Sequence, residues 1–387
     1  MKICFITSFF PGATIPLVEH LQEKGHQCNV YFQLIQGRKG METIVLDSPV
    51  HGSHIKKLSK DNKLYNYLNK EIDFNIVPYY QVRNRKYVIG YVAFLKNLYI
   101  IHKMLNEIEK GSYDIIYIIV NEENDAIVAK EFRRRGYKNV VIAYHEVLKS
   151  HTGKQKLKEV VNITSKLGYP LICYSEHTKT KLQEFVDNDK IHVTYFGPFE
   201  TYKLFDTSEP IIKEPYILFI GSIQPYKGLP FLYESIRDYG QNINTKIVVA
   251  GRGYDSCLEE MKKDDRYIII NKFLSDAEFA NFTRFASCIV CPYVSGSQSG
   301  ITHTAMVYGT PVVVTKVGAF PEFVEEGKNG NLVDYGDKKG LVRSIEEYIN
   351  NESVKQYYVP NKLKWDVIVK TLEIMTSTIN KDTRWRN

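Results

Sequence analysis

The stretch YILFIGSIQPYKG, Tyr216 to Gly228, constrains the fold of this chain more than any other. An apolar run of strand type stops at Gly221, a short polar loop follows, and Lys227 and Gly228 open the helical pattern LPFLYESI. The unit is therefore strand, loop, helix. Loops of this kind stand at the carboxyl ends of parallel strands, where doubly wound folds bind ligands. Further on, ASCIVCPY reads as a buried strand, SGSQSG as a hydroxyl-rich loop and ITHTAMVYG as the helix it feeds. The N–H groups at that helix start, from Ser299, Gly300 and Ile301, would face an anion.

The same alternation runs through the chain twice. Strand patterns at KICFITSF, QCNVYFQL, DIIYIIV, NVVIAYH, PLICYS and HVTYFG precede YILFIG, KIVVAG, YIIINKF, ASCIVCPY, PVVVT and GNLVDYG, with helical patterns between them. Near-continuous apolar strands joined by helices mean parallel sheets covered on both faces. A chain of 387 residues suits two such domains. The Pro-rich, charged segment FGPFETYKLFDTSEPIIKEP places the linker near residue 205. The expected division is 1–205, 206–362 and a last helix over 363–387.

Composition excludes several other classes. Hydrophobic content of 44% and charged content of 25% are those of globular proteins and not of disordered ones. YVIGYVAFLKNLYIIHKML is broken by Lys96 and Lys103, so no run is expected to span a bilayer. The apolar opening is short and leads into an amphipathic helix, so it reads as a first buried strand. The six cysteines sit mostly in apolar runs and read as reduced core residues; three positions apart on a strand, Cys288 and Cys291 point to opposite faces and cannot clamp one metal. A cytoplasmic protein is expected.

The stretch from Ser53 to Lys110 holds eleven Lys/Arg and five Asp/Glu, most of the chain's net charge of +7. Its aromatics are Tyr65, Tyr67, Phe74, Tyr79, Tyr80, Tyr87, Tyr91, Phe94 and Tyr99. The favoured reading is a solvated lysine face over a helix whose Phe94, Leu95, Leu98, Ile101, Leu105 and Ile108 point inward. The other is a basic aromatic surface on residues 53–110 that makes peripheral contact with the inner face of a membrane. Nucleic acid is not an expected partner, because no recognition module appears.

Smaller motifs mostly fall away. Asp187 and Asp189 form a D-x-D between a helix and a strand, where a turn is the expected structure and no metal is called for. Gly251, Arg252 and Gly253 are half of G-x-G-x-x-G, with no acidic residue ending the next strand, which disfavours a dinucleotide cofactor. Gly12 opens the first helix, as a close backbone approach to a ligand or as a plain strand–helix turn.

Together with MKICFITSFFPGATIPLVEHLQEKGHQCNVYF, YHEVLKSH, LICYSEHTKTKLQEF, HVTYFGP, IVVAGRG and PEFV in that order, these segments make the chain resemble the GT-B-fold glycosyltransferases of family 4, retaining enzymes that use nucleotide-sugar donors. The resemblance covers nearly the whole chain and implies two Rossmann-like, doubly wound domains facing each other across a cleft. It puts the donor on the second domain, the acceptor on the first, and returns the last helix to the first domain. It makes Lys227 the cation on the diphosphate and His145, at the end of VVIAYH, a group near the transferred sugar. Donor contacts are then expected from Gly12, Gly221, Ser222, Gly251, Gln298, Ser299, Gly300, Ile301, Thr304 and Glu322. His303 and Thr302 are weaker candidates.

Two departures stand out. The family usually has Arg where this chain has Ser222, and its paired glutamates would fall on Gly296 and Thr304. No Asp or Glu occurs between Cys291 and Phe320. Gln298, Ser299 and Gly300 resemble a Q-S-G variant loop. The expected function is metal-independent, retaining transfer of a hexosyl group from a UDP- or GDP-linked sugar, a co-substrate and not a cofactor, to a glycan or lipid-linked acceptor in surface polysaccharide or glycoconjugate synthesis. A catalytically inactive scaffold partner and a nucleotide-sugar epimerase are the alternatives.

Overall fold

A computed structural model describes residues 1–8, 11–36, 52, 54–69, 71–82, 88–147, 155–187, 189, 191–350 and 356–384. Among these, the chain divides into two compact units. One holds the chain up to Phe196 together with the segment from Trp365, and the other runs Gly197–Lys364.

The first unit is built on strands β1 (Lys2–Thr7), β2 (Gln27–Ile35), β3 (Lys56–Lys57), β4 (Asp73–Tyr79), β5 (Ile115–Val120), β6 (Val140–Tyr144), β7 (Leu171–Cys173) and β8 (Ile191–Val193). Their order is β3-β4-β2-β1-β5-β6-β7-β8, parallel apart from β3. Helices α1 (Pro11–Glu23), α2 (Val88–Glu109), α3 (Glu123–Arg134), α4 (Gln155–Thr164) and α5 (Glu176–Leu182) connect them. In IIYIIV of β5 all six residues are buried, as a strand covered on both faces requires. The chain winds outward in opposite directions from β1 and β5, so the order reverses between them.

The second unit carries β9 (Tyr216–Ile220), β10 (Lys246–Ala250), β11 (Tyr267–Ile270), β12 (Cys288–Cys291), β13 (Val312–Thr315) and β14 (Gly330–Val333). Its helices are α6 (Leu229–Tyr239), α7 (Cys257–Met261), α8 (Asp276–Phe285), α9 (Gly300–Tyr308), α10 (Phe320–Phe323) and α11 (Lys338–Ile349). The all-parallel order β11-β10-β9-β12-β13-β14 reverses between β9 and β12. Cys288 and Cys291 belong to the apolar cores on the two sides of this sheet, and all six cysteines are free and buried. The strand patterns of both halves correspond to strands, and the architecture is the expected GT-B pair of Rossmann-like domains.

The structure corrects the sequence reading in four places. The seven-residue strand β4 pairs with β2 from Asn29↔Asp73 to Ile35↔Tyr79. Its DFNIVPY carries Asp, Asn and Pro and lacked the apolar continuity of its neighbours. Tyr65, Phe74 and Tyr79 are consequently buried and contribute nothing to a surface. Leu95 of α2 points outward at 45% exposure, while Ile101, Leu105 and Ile108 do pack inward. By length and composition α2 is also apolar enough to cross a membrane, although one face of it lies in the core.

The fourth correction concerns the boundary, which falls between Phe196 and Gly197, at the very start of the Pro-rich segment and not near residue 205. Residues beyond it are tied into the second unit: Asn281 Nδ2 donates to Thr207 Oγ1 at 2.6 Å and to the Glu209 carbonyl at 2.8 Å, and the Tyr308 hydroxyl donates to Asp206 at 2.7 Å. The last helix, α12 (Trp365–Arg384), lies on α1 through Lys24–Asp366 and His26–Glu373, both 2.9 Å, with His20 stacked on Trp365. Asn188 of the D-x-D lies outside the described residues, as does Tyr87.

Candidate active site

The reversal of strand order between β9 and β12 leaves a crevice at their carboxyl ends, the usual ligand position in an open parallel sheet. Both loops singled out in the sequence end there. Beyond β9, Gly221 has φ +109°, and Pro225–Lys227 forms one tight turn closed by Gly228 at φ +68°. A Cβ on Gly228 would strike the Pro292 carbonyl oxygen, so only glycine lets this turn sit against the end of β12.

That turn folds Lys227 back over its own strand end. Its Nζ would lie 2.9 Å from a Cβ built on Gly221, and the Ile301 Cδ1 would lie 3.7 Å from the same point. The lysine is 8% exposed, with Nζ 5.1 Å from the centroid of the Tyr293 ring. Among the described residues no carboxylate pairs with it. Burial pushes its pKa down to about 8, with the neighbouring Cys291 opposing the fall. A buried cation without a counter-ion is costly, and an anionic ligand removes the cost.

The second arm is the start of α9. Ser299 is its N-cap, and its Oγ accepts from the Ile301 N–H at 3.4 Å while contacting the Tyr293 hydroxyl at 3.3 Å. One of the three amides expected to face an anion is therefore already capped, though by a long bond. No acceptor among the described residues takes the Ser299 and Gly300 N–H groups. Thr302 Oγ1 donates to the Ser299 carbonyl at 2.9 Å and Thr304 Oγ1 to the Gly300 carbonyl at 3.0 Å. Both hydroxyl protons are thus spent on backbone, and Thr304 keeps only acceptor capacity for a ligand.

The remaining expected residues are placed unequally. Ala319 N–H donates to the Ser297 carbonyl at 2.9 Å, and a Cβ on Gly318 would strike the Gly296 and Ser297 carbonyls. This contact stitches the loop leading to Glu322 against the one carrying Gln298. Gly251, at φ +147°, has a packing reason of its own, since a Cβ there would strike the Gly221 carbonyl oxygen. Ser222 is exposed. His303 is buried, with Nδ1 3.1 Å from the Gly197 carbonyl and its ring stacked on Phe199 at 4.9 Å; burial pushes its pKa down to about 4. It packs as a core histidine tied to the backbone.

Gly12 and His145 belong to the other unit. His145 follows β6, nearly buried, with its ring 6.0 Å from that of Phe196. Gly12 is the second residue of α1, beyond the end of β1. Sequence reasoning missed the buried carboxylate in this region. Asp125 accepts from the Ser8 hydroxyl, the Gln33 amide and the N–H groups of Asn121 and Glu122, all at 2.8–2.9 Å. It joins the carboxyl ends of β1, β2 and β5 across their own strand-order reversal. Burial pushes its pKa up to about 6 in spite of these donors. The polar run NEEND directly after an all-apolar strand was the available signal.

Residues 214–351 match the protein family described as "Glycosyl transferases group 1". That match lies within the second unit. Along 78% of its length the chain is 26% identical to an uncharacterized glycosyltransferase of Methanocaldococcus jannaschii, of which it covers 88%. It is 24% identical over 55% of its length to the capsular polysaccharide biosynthesis glycosyltransferase CapM of Staphylococcus aureus, covering 62% of that protein. The solved structure of Anabaena HepE in complex with UDP-glucose is similar over 99% of both chains, with a TM-score of 0.58 at 16% identity. This last likeness is one of fold.

Proposed function

We propose that this chain is a retaining, metal-independent glycosyltransferase that moves a sugar from a UDP- or GDP-linked donor to a glycan or lipid-linked acceptor of surface polysaccharide or glycoconjugate synthesis. One observation carries the reading. Lys227 is a buried ammonium with no carboxylate partner among the described residues, held over Gly221 and beside Ile301 at the strand-order reversal of the matched domain. A nucleoside diphosphate supplies the missing negative charge, and transfer increases that charge, so the same lysine stabilises the leaving group. HepE, solved in complex with UDP-glucose, supports the donor class, and CapM supports the acceptor class.

Transfer on one face of the sugar fits a site without acidic residues in its Q-S-G loop. The acceptor oxygen bonds to the anomeric carbon as the bond from that carbon to the phosphate oxygen breaks. The acceptor proton passes to the departing phosphate oxygen, so no side-chain base is required. Lys227 and the amides of Ser299 and Gly300 hold the charge.

Thermal scanning of the whole chain with UDP, GDP and their sugar conjugates tests this. Ligand at 100 times its Kd stabilises by about 2.7 kcal/mol, a shift expected for one nucleotide series and lost in Lys227→Ala. Indifference to every nucleotide would overturn the reading in favour of a non-catalytic partner.

A further inference from the structure

Helix α2 is apolar on two opposite faces, and among the described residues one of them packs into the core while the other carries large exposed side chains. Ala93, Asn97, Ile100, Ile101, Met104 and Ile108 enter the core of the first unit. On the other side Val88, Val92, Leu95 and Tyr99 follow one another at spacings of four, three and four, one stripe along a helix. Ile89 and Tyr91 flank it, and Val88 and Ile89 are 79% and 86% exposed. Six large apolar side chains on little more than three turns exceed the scattered surface residues of an ordinary monomer. The polar groups beside them carry one sign. Lys96 stands 5.0 Å from the Tyr80 ring centroid and Lys103 stands 4.7 Å from that of Tyr99, and no Asp or Glu occurs from Val88 to Asn106.

We propose that this stripe seats the protein on an anionic phospholipid surface, with α2 lying along the interface. The aliphatic side chains enter the boundary between headgroups and acyl chains. Tyr91 and Tyr99 place a ring in the apolar layer and a hydroxyl in the wet one. Lys96 and Lys103 lay their stems beside tyrosine rings and extend their ammonium groups toward lipid phosphates. The helix lies on the membrane and does not cross it, because its other face is committed to the protein core. A second copy of the chain fits less well. Pairing the stripe with itself would bring lysines toward lysines with no carboxylate on it to separate them.

The inference stands apart from the transfer reading, since vesicle binding reports on α2 and nucleotide stabilisation reports on Lys227. The test is co-sedimentation of the full chain with phosphatidylcholine vesicles containing roughly one-third phosphatidylglycerol, at low and at physiological salt. The wild type pellets with these vesicles and much less with pure phosphatidylcholine. Val92→Asp with Leu95→Asp, and separately Lys96→Glu with Lys103→Glu, each lower the bound fraction about tenfold. Val92, Leu95 and Lys96 are exposed and Lys103 is half-buried, and unchanged thermal midpoints verify that the fold survives. A wild type that stays in the supernatant at low salt overturns the proposal, as does a Val92→Asp, Leu95→Asp variant that pellets normally. So does a lipid-indifferent dimer that Leu95→Asp dissociates, which would assign the stripe to a second copy.

Discussion

Lys227 folds its ammonium over the end of β9, so close to Gly221 that a methyl group there would stand 2.9 Å from Nζ and oblige the ammonium to shift. The two residues make one device, a turn that carries the cation back and a gap that receives it. Gly221 also adopts φ +109°, which an L-residue enters only with strain.

Gly221→Ala is therefore expected to destabilise the chain by roughly 1–3 kcal/mol and to abolish nucleotide stabilisation. Urea unfolding with and without nucleotide checks both effects. A variant that binds nucleotide normally would contradict the fit between the two residues.

Lys227→Met should separate stability from binding. Removing a buried cation that has no counter-ion among the described residues leaves the free protein as stable as the wild type, or more so, while the nucleotide-induced shift disappears. The pH dependence has a definite sign. With a folded pKa of about 8 against an unfolded value near 10.5, the unfolded chain binds more protons between these values. Wild-type stability thus gains on that of Lys227→Met as pH rises through this window, by on the order of 3 kcal/mol. Nucleotide affinity moves oppositely, weakening above about pH 8 as the free lysine loses its proton. Scanning calorimetry from pH 7 to 10 on both proteins reads the two trends.

Asp125→Asn puts an amide among four donors and should cost roughly 1–3 kcal/mol at pH 7. The wild-type carboxyl, at about 6, lies above its unfolded value, so the folded state binds more protons between them. The wild type's advantage over Asp125→Asn consequently grows as pH falls from about 6 toward 4. Denaturant titrations at several acid pH values would show a flat difference if the carboxyl were not buried.

His303→Phe keeps a ring against Phe199 but orphans the Gly197 carbonyl, for a loss of about 1 kcal/mol at pH 7. The wild-type histidine at about 4 lies below its unfolded value near 6.5, so its contribution is lost as pH falls through that interval. The variant should lack this acid sensitivity and retain nucleotide binding. Loss of binding would return His303 to the ligand site.

The sheets were legible because strands covered on both faces must be apolar throughout, and runs such as YILFI, IIYIIV and VVVT have few other ways to be buried. Strand β4 escaped because Asp73, Asn75 and Pro78 interrupt that pattern, and its place beside β2 rests on long-range pairing. Local order likewise carried the strand–loop–helix context of Lys227 and the capped start of α9. Whether that lysine had a carboxylate partner, whether the Thr302 and Thr304 hydroxyls were free, and which side of α2 found a core were decided only by tertiary structure. Burial and pairing depend on residues distant in the chain, and spacing along a sequence contains no term for them.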